Sequence, residues 1–161
     1  MYTQIAVFAP LVGSLIGGVA RPFIGRHAAI GGSIAFMLVC AVAGVLAQLG
    51  GVQAPLHLAT WISVGNFTPD WTLRQDELSL AMVAMVSVIS MLIHVYSIGY
   101  MAHDENAPRF FAYMSLFTFA MLMLVTANNL LQLFFGWEGV GLVSYLLINY
   151  WYDRDAANAA A

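Results

Sequence analysis

Apolar residues run almost without interruption through five stretches, residues 3–20, 28–49, 78–101, 110–127 and 130–151. Each is close to the roughly 20 residues that a helix needs to cross a bilayer. Between the second and third stretches the chain turns more polar, over residues 50–77. There Leu58 to Val64 and Phe67 to Leu73 put β-branched and aromatic residues on both sides of Gly65-Asn66, a pattern that predicts a short β-hairpin on the outer surface, with Trp61, Phe67 and Trp71 at the membrane interface. The other connections are short: Arg21 to His27, where Pro22 is expected to break the helix, Ala102 to Arg109, and Asn128-Asn129. The expected fold class is an all-α polytopic membrane protein of about five transmembrane helices, arranged as one transmembrane domain over residues 1–161.

Composition supports this reading. Hydrophobic residues make up 61% of the chain and charged residues 8%, with a mean hydropathy of +0.83, so a charged water-facing surface of the usual kind is not available. The five basic residues are all arginines. Arg21, Arg26, Arg109 and Arg154 fall on one side if the helices alternate, and Arg74 on the other, which by the positive-inside rule puts the N-terminus outside. A net charge of −3 and the lack of a basic stripe argue against nucleic acid. Met1 to Gln4 form no basic n-region and no small-residue cleavage site follows Val19, so the first span is read as retained.

Little in the chain suggests a cofactor. The single cysteine, Cys40, excludes an internal disulfide and a thiolate-held cluster, and is expected to pack inside the second helix. His27, His57, His94 and His103 form no pair at helical spacing. The run Gly136-Trp-Glu-Gly-Val-Gly141 has the wrong spacing for a dinucleotide turn and lies at membrane depth. Gly13 and Gly17 offer a small face for close helix contact, and Asp76 and Glu77 sit where carboxylates suit a helix start.

Candidate chemistry therefore centres on Glu138, a lone carboxylate inside the last apolar stretch. An ionisable group at that depth costs several kcal/mol unless neutralised, paired or hydrated, so by default it marks a proton or ion pathway; the alternative is a structural carboxylate bonded to a neighbour. Gly136, Gly139 and Gly141 around it leave room for a neighbouring helix or for water. His94 is the second candidate, as one end of a water chain or as a histidine hydrogen-bonded inside the bundle. Helical rise separates it from Glu138 by roughly 12 Å in depth, so direct contact is not expected. Ser144 and Tyr145 follow Glu138 by one to two turns, close to the i+7 spacing that returns to the same face, and could hold water or bond a neighbouring helix.

The strings His94 to Met101, Arg109 to Val125 and Asn129 to Leu142 resemble the start of subunit L (mitochondrial subunit 5) of respiratory complex I, over nearly the whole chain and most specifically from about Asp76 onward. The resemblance implies the N-terminal part of an antiporter-like helical subunit in a proton-translocating NADH:quinone oxidoreductase. It implies that Glu138 is a proton-relay residue that pairs with a lysine on a later, broken helix. NADH, FMN, iron-sulfur clusters and quinone would be handled by partner subunits, and this chain would carry no cofactor. The implied partners are the other membrane-arm subunits, especially the neighbouring antiporter-like one, in a bacterial inner membrane or a mitochondrial inner membrane. The family's subunit is several times longer, so the chain is expected to be truncated and the lone fragment not to pump. Two competing functions stay open: the large subunit of a multisubunit Na+(K+)/H+ antiporter, and a non-transporting structural fragment.

Overall fold

The computed structural model describes residues 1–63, 65 and 68–161. Five long apolar helices are present: α1 (Tyr2–Gly18), α3 (Arg26–Leu49), α4 (Glu77–Tyr100), α5 (Ala107–Val125) and α6 (Leu130–Ile148), with short helices α2 (Arg21–Ile24) and α7 (Asp155–Ala160) and strands β1 (Leu56–Thr60) and β2 (Asp70–Leu73). Four of the five, α3 to α6, are long and apolar enough to cross a membrane. α1 has 17 residues, about 25 Å of helix. The ends differ from the expected ranges by a few residues. Pro108 occupies the first turn of α5, where its missing N–H costs nothing, so that helix starts at Ala107 rather than Phe110. Pro22 plays the same part in α2: it opens a short helix instead of simply ending one.

α5 is the hub. It packs against α1, α3, α4 and α6, whereas α6 leans on α5. Half of the apolar window of α5 is buried but only 17% of that of α6, which decides which helix is central and which peripheral. Close approach rests on small residues. A Cβ at Gly13 would meet Ser33 and Phe36 of α3 at 3.3 Å, and Ser33 Oγ donates to the Gly13 carbonyl at 2.8 Å. Cys40 is fully buried in the core with Ala6, Val7, Met37, Val83 and Leu122.

The hairpin forms, but displaced. Its strands pair antiparallel with Leu56 opposite Leu73 and Thr60 opposite Asp70, with an irregularity between His57 and Ala59. Trp61, Ile62 and Ser63, expected in the first strand, lie beyond its last residue. Residues 64, 66 and 67, and with them the expected interfacial position of Phe67, lie outside the described residues. The hairpin is bolted to the helices through Leu73, which bridges to Ala127, and through Arg74 N–H, which donates to the Thr126 carbonyl at 2.8 Å. Asp76 caps α4 by accepting from Ser79 N–H at 2.8 Å.

Candidate functional site

α6 carries Glu138. It starts at Asn129, whose side chain accepts from Gln132 N–H at 2.9 Å and donates to the Asp70 carbonyl at 2.8 Å. Gln132 is fully buried and its Oε1 accepts from Thr72 N–H at 3.2 Å. These contacts tie the first turn of α6 to β2. Trp71 and Trp61 then pack edge-on around Phe135, at centroid distances of 4.9 and 6.3 Å.

At its other end α6 is held by the loop between α4 and α5. Asp104 accepts from Tyr150 Oη at 3.1 Å, Trp151 Nε1 at 3.3 Å and the Asn106 N–H at 2.7 Å. Arg109 donates to the Tyr150 carbonyl at 2.9 Å and lies over the rings of Tyr150 and Tyr152. Burial first, and then the Asp104 carboxylate, push the Tyr150 phenol above its usual value. Arg21 and Arg26 reach the same loop, on Asn106, Glu105, Ala102 and Asp104. Arg154 lies over the Trp151 ring, so four arginines gather at one end of the bundle, with Arg74 and the hairpin at the other.

Between the clamps, one side of α6 lies on α5 and the other is open. Gly136 and Gly139 face α5: a Cβ at Gly136 would stand 2.7 Å from the Leu124 backbone, and one at Gly139 3.1 Å from Ala120 Cβ. Gly141 meets nothing within 4 Å. Glu138 is on the open side and exposed, with Phe134, Trp137, Leu142 and Tyr145. Two of the three glycines thus leave room for a neighbouring helix, α5, and only Gly141 shares the face of Glu138. Tyr145 shares that face, while Ser144, six residues on and two-thirds of a turn round, is half-buried.

His94 lies elsewhere, fully buried between α4 and α5. Its Nδ1 is 2.8 Å from the Ser90 carbonyl and its Nε2 3.1 Å from Ser115 Oγ, so both ring nitrogens are occupied. Ser90 and Thr118 hydrogen-bond one another beside it, and Thr118 Oγ1 donates to the Met114 carbonyl at 2.9 Å. Among the described residues no hydrogen bond or ion pair joins Glu138 to His94, Ser144 or Tyr145, and no group of three His, Cys, Asp or Glu stands close enough to hold a metal ion. Sequence reasoning misses the anchoring roles of Gln132, Asn129 and Asp104; the one hint is a polar residue, Gln132, inside an apolar run.

Comparison with known proteins converges on one family. Residues 61–111 match the profile described as NADH-Ubiquinone oxidoreductase (complex I), chain 5 N-terminus. Residues 127–161 match the profile NADH:quinone oxidoreductase/Mrp antiporter, TM. NADH-quinone oxidoreductase subunit L of Rhodobacter capsulatus is 45% identical over 99% of this chain and 24% of its own length. NADH-ubiquinone oxidoreductase chain 5 of Chondrus crispus is 44% identical over 100% of the chain and 25% of its own length, and that of Arabidopsis thaliana 45% identical over 100% and 24%. The chain spans about a quarter of the length of the curated relatives it matches.

Proposed function

The chain belongs, over the quarter of their length that it spans, to the family of NADH-quinone oxidoreductase subunit L and NADH-ubiquinone oxidoreductase chain 5, and on that premise we propose that it serves as part of the proton-moving membrane arm of an NADH:quinone oxidoreductase. The observation that carries the reading is a match along the whole chain at 45% identity, the last profile beginning just before the helix that bears Glu138. The 1–161 segment acts as one transmembrane domain in a bacterial inner or mitochondrial inner membrane. Electron transfer from NADH to quinone, with its FMN and iron-sulfur clusters, belongs to partner subunits.

Glu138 is the relay. A carboxylate on a lipid-facing surface is costly, so the open side of α6 requires a protein element or water against it, supplied by a further membrane-arm element such as a neighbouring antiporter-like subunit. Placed there, the carboxylate can take a proton from one side and release it to the other as its partner approaches or withdraws. Tyr145, one face with Glu138, is suited to hold water beside it, and Ser144 to bond a helix neighbour. His94 ties α4 to α5 through its Nε2 contact with Ser115 Oγ, while its Nδ1 bonds the Ser90 carbonyl of its own helix.

In the intact assembly Glu138→Gln is expected to leave assembly and NADH oxidation measurable while proton movement per NADH falls sharply; an unchanged proton-to-electron ratio would refute the relay. The second reading, a subunit of a Na+(K+)/H+ antiporter, draws on the profile over residues 127–161, whose description names both classes. Proton movement driven by a sodium gradient in membranes without NADH would favour it.

A further inference from the structure

At the arginine-rich end, a partly enclosed cleft of about 210 Å³ opens between the start of α3 and the end of α4. Arg26 and His27 form its polar side, and Ile30, Ile98, Met101 and Phe111 its apolar walls; no acidic side chain lines it. Arg26 opens one span and Met101 closes another, so the cleft lies where the apolar region meets water.

The positive charge in this cleft is fixed in place but not cancelled. Arg26 Nη2 donates to the carbonyls of Ala102 at 2.7 Å and Asp104 at 3.0 Å, which are neutral acceptors, and its Nε is buried with no partner. The Asp104 carboxylate turns to neutral donors on Tyr150, Trp151 and Asn106, and among the described residues it makes no ion pair with Arg26. The ion pairs found among the described residues, His57 with Asp70 and Arg74 with Asp76, both stand at the hairpin end. Beside the cleft, α2 presents Phe23 at 86% exposure and Ile24 at 44%, and α4 presents Ile98 at 49%, an apolar bed next to a held cation.

We propose that this cleft binds an anionic phospholipid, its phosphate on Arg26 and His27 and an acyl chain along Ile30 and Ile98. A free phosphate would gain the cation and nothing from the walls; a zwitterionic lipid would fill the walls but bring its own positive charge against Arg26. Basic pockets between helices at the membrane surface are suited to such headgroups, each cationic contact contributing roughly fivefold in binding. The site depends on the membrane-spanning fold and is independent of proton transfer at Glu138.

The test uses the intact assembly containing this chain, stripped of lipid and placed in phosphatidylcholine nanodiscs carrying a small fraction of photoactivatable phosphatidylglycerol. Cross-linked peptides are mapped by mass spectrometry. Labelling is expected on the segments around residues 23–30 and 98–102, displaced by unlabelled phosphatidylglycerol but not by inorganic phosphate, and reduced about fivefold by Arg26→Gln. Because Arg26 also holds the neighbouring loop, Ile98→Trp, which fills the cleft from an exposed position, provides a second variant and is expected to reduce labelling while assembly is kept. Equal labelling by photoactivatable phosphatidylcholine, displacement by inorganic phosphate, no labelling of these segments, or undiminished labelling in both variants would overturn the proposal.

Discussion

Gly136→Ala probes the seam that sets where Glu138 points. The new Cβ would stand 2.7 Å from Leu124 Cα and N, atoms of the α5 backbone that cannot swing aside. Restoring ordinary contact requires α5 and α6 to part by about 1 Å, an overpacking strain of roughly 1–3 kcal/mol. Alanine returns about 1 kcal/mol of helix propensity, leaving a net loss of about 0–2 kcal/mol, centred near 1. In lipid, separated helices recover little of this, since association there depends on close packing. Gly139→Ala, whose Cβ would meet the Ala120 side chain at 3.1 Å, is expected to cost less. Gly141→Ala meets nothing within 4 Å among the described residues, so any cost it shows in the assembly measures what covers the Glu138 face. The assay is thermal unfolding of the detergent-solubilised assembly alongside proton movement per NADH. Gly136→Ala should lower both. A Gly136→Ala protein as stable as the parent would refute the claim that backbone contact at this glycine holds α6.

Three further outcomes follow from the same contacts. Gln132→Leu leaves the Thr72 N–H without its acceptor, at a cost of about 1–3 kcal/mol, and should speed hydrogen exchange across residues 56–73. The Asp76 carboxyl is held below the ordinary range, by hydrogen bonding at Ser79 first and with Arg74 adding, so its contribution is present at neutral pH and lost as pH falls through that lowered value; Asp76→Asn, still able to cap, should flatten this acid limb in a stability-against-pH series. For Tyr150 the sign is opposite: the raised phenol keeps its proton longer folded than unfolded, so its contribution is full below about pH 10 and drains as pH rises beyond, and Tyr150→Phe should abolish that alkaline loss in thermal midpoints.

The spans are legible in the sequence because uninterrupted apolarity leaves a chain no other place to go, and the packing of Cys40 and Gly13 follows from the same logic. The hairpin is legible as a hairpin but not in register, since residues on both sides of Gly65 have strand character and nothing local marks Thr60 as the last to pair. Pro22 is ambiguous because the same ring that ends one helix is preorganised to begin the next. The open side of Glu138 is hidden for a different reason. α6 is apolar all round, so its sequence does not say which face meets α5; the answer lies in Leu124 and Ala120, on another helix. Gln132 and Asp104 are likewise read only once partners 60 and 46 residues away in sequence are in place.

Those two anchors bear on how a relay at Glu138 can work. α6 is fixed at the hairpin end by Asn129 and Gln132, at the arginine end by Tyr150 and Trp151 on Asp104, and along its length by glycines against α5. Turning the helix to move the carboxylate would break contacts at both ends at once and drive bulkier side chains than glycine toward α5. A helix held this way is a fixed mount. On the proposed relay reading, the elements or water that cover the open face of Glu138 would do the moving, while α6 keeps its contacts. A label on α6 that reports rotation during turnover would contradict this, and one that reports none, beside changing hydration at residue 138, is what the clamps require.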